Sequence, residues 1–105
     1  MKTIVYHPEA EVDLDEAVET YEGAQWGLGE RFRQAVLATE TRIAENPGLG
    51  GPWMRGTRLR RVPKFSYGLV YKEYPDEIRL VAVYHFSRRE TYWVHRLDDL
   101  PDDES

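Results

Sequence analysis

The chain contains no cysteine, which excludes disulfide staples, thiol nucleophiles and cysteine-ligated metals, and leaves the redox compartment undetermined. No apolar run approaches the roughly 20 residues that a membrane span needs. The opening MKTIVYHPEAEV has one Lys but no apolar h-region and no small-residue cleavage site. No signal peptide is therefore expected, and the cytoplasm is the default compartment. Only three histidines are present, scattered and without H-E-x-x-H, so neither a metal site nor a cofactor is expected. The glycines of GLGGP (48–52) lie in neither a G-x-x-x-x-G-K-S/T loop nor a G-x-G-x-x-G turn, and no G-x-S-x-G elbow occurs. One further absence is local: no Asp or Glu stands between Gly51 and Lys72.

That gap matters because the rest of the chain is acidic. At 105 residues and net charge −5, one small domain with a single modest core is expected. Residues 1–50 carry ten Asp/Glu against four Lys/Arg, residues 51–72 carry six Lys/Arg and no acid, and the closing LDDLPDDES adds five carboxylates. Overall charge does not suit nucleic-acid binding. A polyanion would have to be met locally, by Arg55, Arg58, Arg60, Arg61 and Lys64.

Lys2–Tyr6 reads as a short strand. Pro8–Gln25 reads as a helix, with Pro and acids in its first turn and Ala10, Leu14, Ala17, Val18 and Tyr21 on one face. The opposite face, Glu9, Asp13, Glu16 and Glu19, reads as solvated. After Gly27-Leu-Gly29 a second helix runs to Asn46, with Leu28, Phe32, Ala35, Val36, Thr39 and Ile43 as its stripe and Asn46-Pro47-Gly48 as its stop. Two such helices form an antiparallel αα-hairpin, and GLGGP is a loop.

Three strands follow: Thr57–Val62, Phe65–Tyr74 and Glu77–Phe86. Strict alternation puts Ile78, Leu80, Ala82 and Tyr84 on one side of the last, with Arg79, Val81, Val83 and His85 on the other. Its apolar content on both faces predicts an interior position in the sheet. Ser87–Arg96 returns to basic and aromatic residues. The expected architecture is α+β: a four-stranded, largely antiparallel sheet on one αα-hairpin, the domain covering residues 1–96 and 97–105 forming a loose acidic tail.

This order, with HPEAEVDLDEAVETYE, GLGERFRQAV, AENPGLGGP, GTRLRRVPKFSYGLVYK and AVYHFSRRETYWVHR at these spacings, resembles the RelE/ParE superfamily of type II toxin–antitoxin toxins over residues 5–96. GLGERF and the basic–aromatic run RRETYW lean toward the ParE-like, plasmid stabilisation branch. Phe65-Ser66-Tyr67 departs from the Phe-Pro-Tyr common in the family, which touches only local stiffness. The resemblance implies a cognate antitoxin as partner. It also implies one of two actions: inhibition of DNA gyrase, as in ParE-like members, or ribosome-dependent mRNA cleavage, as in RelE-like members.

RNA cleavage through the 2′-hydroxyl needs a proton acceptor, cations around the phosphorane and a proton donor to the leaving oxygen. The candidates are Arg58, Arg60 and Arg61 as clamps, with His85 and Tyr92 for proton transfer. Alternation separates Arg61 from Arg58 and Arg60, so the three do not share one pocket on a regular strand. The acidic pI and the full-length helices favour the non-nuclease branch. A binding surface is then expected from Arg55, Arg58, Arg60, Arg61, Lys64, Arg88, Arg89 and Trp93, facing an acidic antitoxin segment or the target, with some of these arginines pairing to the chain's own acids. Tyr92 and Trp93 read more readily as packing anchors for the C-terminal segment than as base-stacking contacts. His7 and His95 are expected at the surface.

Overall fold

Chain-wide alternation of apolar and polar residues yields one strand, two helices and four further strands; the computed structural model describes residues 1–101. The strands are β1 (Thr3–Tyr6), β2 (Gly51–Pro52), β3 (Arg58–Arg61), β4 (Tyr67–Glu73) and β5 (Glu77–His85); the helices are α1 (Pro8–Ala24) and α2 (Leu28–Glu45). The sheet order is β1-β5-β4-β3-β2, with β1 parallel to β5 and the other pairs antiparallel. β5 thus lies inside the sheet, as its two apolar faces require.

The expected sheet had four strands and the observed one has five. The addition, β2, is Gly51-Pro52 in the stretch expected to be loop, pairing with Leu59 and Arg58. Two residues, one without an N–H, carry no strand pattern, so the signal lies in what holds them. The Tyr71 hydroxyl accepts from Gly50 N–H at 2.8 Å and donates to Pro47 C=O at 2.7 Å, while Arg58 donates to Gly50 C=O at 2.7 Å. A Cβ at Gly50 would lie 2.6 Å from that hydroxyl, so glycine is required there. Tyr71→Phe should lower unfolding free energy by about 1–3 kcal/mol in a denaturant titration, because it orphans a buried N–H and a carbonyl together.

The hairpin covers one face of the sheet. Ala10, Leu14 and Ala17 of α1 and Phe32, Val36 and Ile43 of α2 pack on Leu69, Tyr71, Ile78, Leu80 and Val83. Tyr21, Phe32, Phe65 and Tyr67 cluster with ring centroids 5.0–5.9 Å apart and tie the hairpin tip to the β3–β4 turn. The two helices approach closely at Gly29, where a Cβ would lie 2.6 Å from Val18 C=O. Gly27 has no side chain to cap α2, and the Glu22 carboxylate does so from α1, accepting from Gly27 and Gly29 N–H at 2.9 Å each.

β5 does not alternate strictly. Val70 opposes Ala82 and Tyr71 opposes Leu80, leaving Val81 as a bulge. One extra residue reverses facing beyond it. Ile78, Leu80 and Val83 face the hairpin, whereas Val81, Ala82 and Tyr84 line a second core with Val70 and Trp93 on the other side. The expected grouping of Ala82 and Tyr84 with Leu80 is corrected accordingly.

The chain then folds back over this second core. Val94–Asp99 is a 3₁₀ helix, and Leu97 and Leu100 pack beside Trp93, so the expected tail boundary at Leu97 falls within an ordered turn. Residues 102–105 of that expected tail lie outside the described residues. His7, expected at the surface, is buried: its Nδ1 caps α1 by accepting from Glu9 N–H at 3.0 Å, and its Nε2 meets Asp99 at 2.8 Å. His95 is exposed, 3.2 Å from Glu9.

At the β1 edge, the Tyr6 hydroxyl donates to Glu40. Burial raises the Glu40 pKa above its ordinary 4.5, and the Tyr6 bond offsets only part of that. A carboxyl raised on folding contributes stability below its unfolded pKa, lost as pH rises through the folded value. Glu40→Gln should therefore gain stability over the parent as pH is taken from 4 to 7, read as a widening gap in Tm.

Candidate functional site

β5 loses its neighbour on one edge where β1 ends: His7 N–H bonds Leu80 C=O, and no strand follows to take Val81 and Val83. Side chains take over. Arg96 donates to Val81 C=O at 3.0 Å, Val83 N–H donates to Asp13 at 3.1 Å, and the Tyr92 hydroxyl donates to Val83 C=O at 3.2 Å. Asp13 and Arg96 pair bidentately at 2.6 and 3.1 Å, with relative exposures of only 9% and 4%. Burial opposes the Arg96 charge, but the Asp13 bonds and charge outweigh it and its pKa rises. Asp13 was expected on a solvated face and is instead a buried anchor. Its position was readable, because Ala10, Asp13, Leu14 and Ala17 share the i, i+3, i+4, i+7 stripe.

This anchor forms one wall of a cleft of about 140 Å³ that gathers Tyr67, His85, Arg88 and Tyr92 with Asp13 and Glu16. His85 packs edge-on to Tyr67 at 4.7 Å, and its Nδ1 takes Ser87 N–H at 3.0 Å and lies 2.7 Å from the Ser87 hydroxyl. Arg88 stacks 3.9 Å from the Tyr92 ring centroid. Burial, reinforced by the Asp13 charge, lifts the Tyr92 hydroxyl pKa well above the usual tyrosine range. Two acids line this cleft beside the one arginine. Arg58, Arg60 and Arg61 lie on β3, beside β4, and do not line it. The candidates for RNA cleavage are thus split between two places.

The β3 register completes the picture. Arg58 opposes Tyr71 and Arg60 opposes Leu69, so both point to the hairpin side, while Arg61 opposes Gly68 and lies over the Phe86 ring at 5.2 Å on the other. Arg55 and Lys64 flank the strand in left-handed backbone, at φ 59° and 73°. Among the described residues, Arg55, Arg58, Arg60, Arg61, Lys64, Arg88 and Arg89 have no carboxylate within ion-pairing distance. The expected pairing of some of them with the chain's own acids is not seen among the described residues. Ion pairs are made by Lys2 just before β1, Arg33 on α2, Arg79 on β5 and Arg96 in the C-terminal turn. Trp93, expected among the contact residues, is completely buried in the second core and offers no surface.

The trio His7, Glu9 and Asp99 brings ligand-type atoms within 4.8 Å of one another, but both His7 nitrogens are already engaged, one as helix cap and one toward Asp99. Among the described residues no helix is long and apolar enough to cross a membrane.

The family model for the ParE toxin of the type II toxin–antitoxin system parDE matches residues 4–90. The chain belongs to the ParE toxin family. A chain of the solved chromosomal ParDE toxin–antitoxin system from P. aeruginosa has the same fold, with a TM-score of 0.70 at 18% identity, over 81% of this chain and 96% of that one. No curated protein matches. Among the described residues, Arg55, Arg58, Arg60, Arg61 and Lys64 form a band without ion-pair partners on β3 and its flanking turns, and α1 is rich in acids.

Proposed function

We propose that this chain is the growth-inhibiting toxin of a type II pair, neutralised by a cognate antitoxin and acting in the cytoplasm on DNA gyrase by docking rather than by cutting RNA. The observation that carries this is the cationic band of Arg55, Arg58, Arg60, Arg61 and Lys64 along β3 and its flanking turns, which has no ion-pair partner among the described residues of an otherwise acidic molecule. Arg58 also holds Gly50 C=O. For cations left without an internal carboxylate, electrostatic complementarity makes an acidic protein segment the natural partner. Arg55 and Lys64 add to this: each sits in left-handed backbone costing about 1–2 kcal/mol where glycine would be easier.

The same layout argues against a nuclease. His85 and Tyr92 share a cleft with Glu16 and with an Asp13 already paired to Arg96, only Arg88 supplies a cation there, and the β3 arginines do not line it. Added to ribosomes programmed with a defined message, the purified chain should leave that message intact. Codon-positioned cuts that disappear in His85→Ala would overturn this reading in favour of RelE-like chemistry. Normal growth on induction of folded protein would leave an antitoxin-binding protein without toxicity.

A further inference from the structure

The two edges of the sheet differ. At one, β2 is two residues long and includes Pro52, which has no N–H, so it is a poor template for an added strand. At the other, β1 carries no proline, no charge and no bulge over Thr3–Tyr6. The backbone groups it leaves open can be named. His7 N–H bonds Leu80 C=O, so alternation turns the groups of Thr3 and Val5 toward β5 as well, and those of Ile4 and Tyr6 outward. Lys2 N–H, also outward, is taken by Ala44 C=O at 3.4 Å, and α1 begins at Pro8. The open stretch is Ile4–Tyr6, with Val5 at its centre. Beside it Met1, Ile4, Leu37 and Ala44 line an open pocket of about 370 Å³, with Met1 85% and Leu37 47% exposed.

We propose that β1 pairs antiparallel with β1 of a second copy of this chain, about a two-fold axis at Val5, joining two five-stranded sheets edge to edge. The register is self-complementary. Ile4 of one copy opposes Tyr6 of the other and the two exchange N–H···O=C bonds, so every outward group of the stretch finds a partner. The two Val5 residues face each other as the closely spaced, non-hydrogen-bonded pair. Charge selects a copy over an acidic segment of the kind suited to the β3 band. The groove along Tyr6 is lined by Glu11, Asp15 and Glu40 with Arg33 as its one cation, and Arg33 already lies 3.9 Å from Asp15. Acids approaching this edge are repelled, whereas Thr3–Tyr6 brings none. Neither antitoxin nor gyrase enters this pairing. Because β3 and β2 stand at the opposite end of the sheet, the pair carries two cationic bands, one near each end.

Sedimentation of the full chain tests this. A short edge makes a weak dimer, so the parent should pass from monomer to dimer between about 10 μM and 1 mM. Ile4 and Tyr6 pack on the hairpin side, which puts the Val5 side chain on the other face, half-buried and in neither core, so thermal melts of Val5 variants should show folded protein. Val5→Lys and Val5→Glu should each weaken self-association about 10-fold or more, because like charges then face each other across the axis. An equimolar mixture of the two should associate again, as a mixed pair, and Val5→Thr should match the parent. A parent that stays monomeric throughout overturns the pairing. So does parental association in Val5→Lys or Val5→Glu, or a mixture that associates no better than its components. Amide exchange on the parent decides without any variant: Ile4 and Tyr6 N–H should gain protection as concentration rises, and exchange at one rate across the range overturns the pairing.

Discussion

Asp13→Ala should lower the unfolding free energy by about 3–5 kcal/mol, a large part of what a domain of this size has. The reason is what the carboxylate leaves behind. Arg96, 4% exposed, would keep its charge in the interior without its bidentate partner, and Val83 N–H would lose its acceptor. The damage should be specific to the pair. Asp13→Ala combined with Arg96→Leu should recover part of the loss, because removing both members spares the uncompensated charge. Chemical denaturation of both singles and the double measures this directly. Equal losses that simply add would mean that the pair is not coupled. The consequence reaches the candidate cleft, since Arg96 and Tyr92 close the free edge of β5 and Tyr92 is the platform on which Arg88 lies.

Reversing the band should have the opposite signature. In Arg55→Glu/Arg60→Glu/Arg61→Glu no internal ion pair among the described residues is lost, so Tm should shift by only a few degrees. Binding to an acidic antitoxin should fall by about 100- to 1,000-fold. The salt dependence should change too: parental binding should weaken from 50 to 500 mM salt, and the variant should show little of that slope. A variant that binds as the parent does would show that the band is only a solvated face.

The two helices, the meander strands and the basic band are legible in the residues because each has a local cause. The helices follow from apolar spacing and stop chemistry, and the band follows from six cations between Gly51 and Lys72 without an acid. What could not be read depends on register or on distant partners. The bulge at Val81 reverses the facing of Ala82 and Tyr84, and nothing in EIRLVAVYHF marks which residue is extra. β2 exists because Tyr71, about twenty residues on, holds Gly50 in place. His7 reads as surface because its partner, Asp99, comes from the other end of the chain; Asp13 stands on the apolar stripe of α1, but nothing local names Arg96 as its partner. Trp93 sits in a basic, aromatic stretch that resembles a contact surface, and its burial follows only once the C-terminal turn crosses the sheet.

If the folded chain disables gyrase by binding it, as proposed, purified gyrase supercoiling a relaxed plasmid should respond to titration with the purified chain and then with a cognate antitoxin. Loss of supercoiling with increasing chain, restored by the antitoxin and weakened in the band-reversal variant, is the predicted result. Unchanged supercoiling at saturating amounts of folded chain would contradict it.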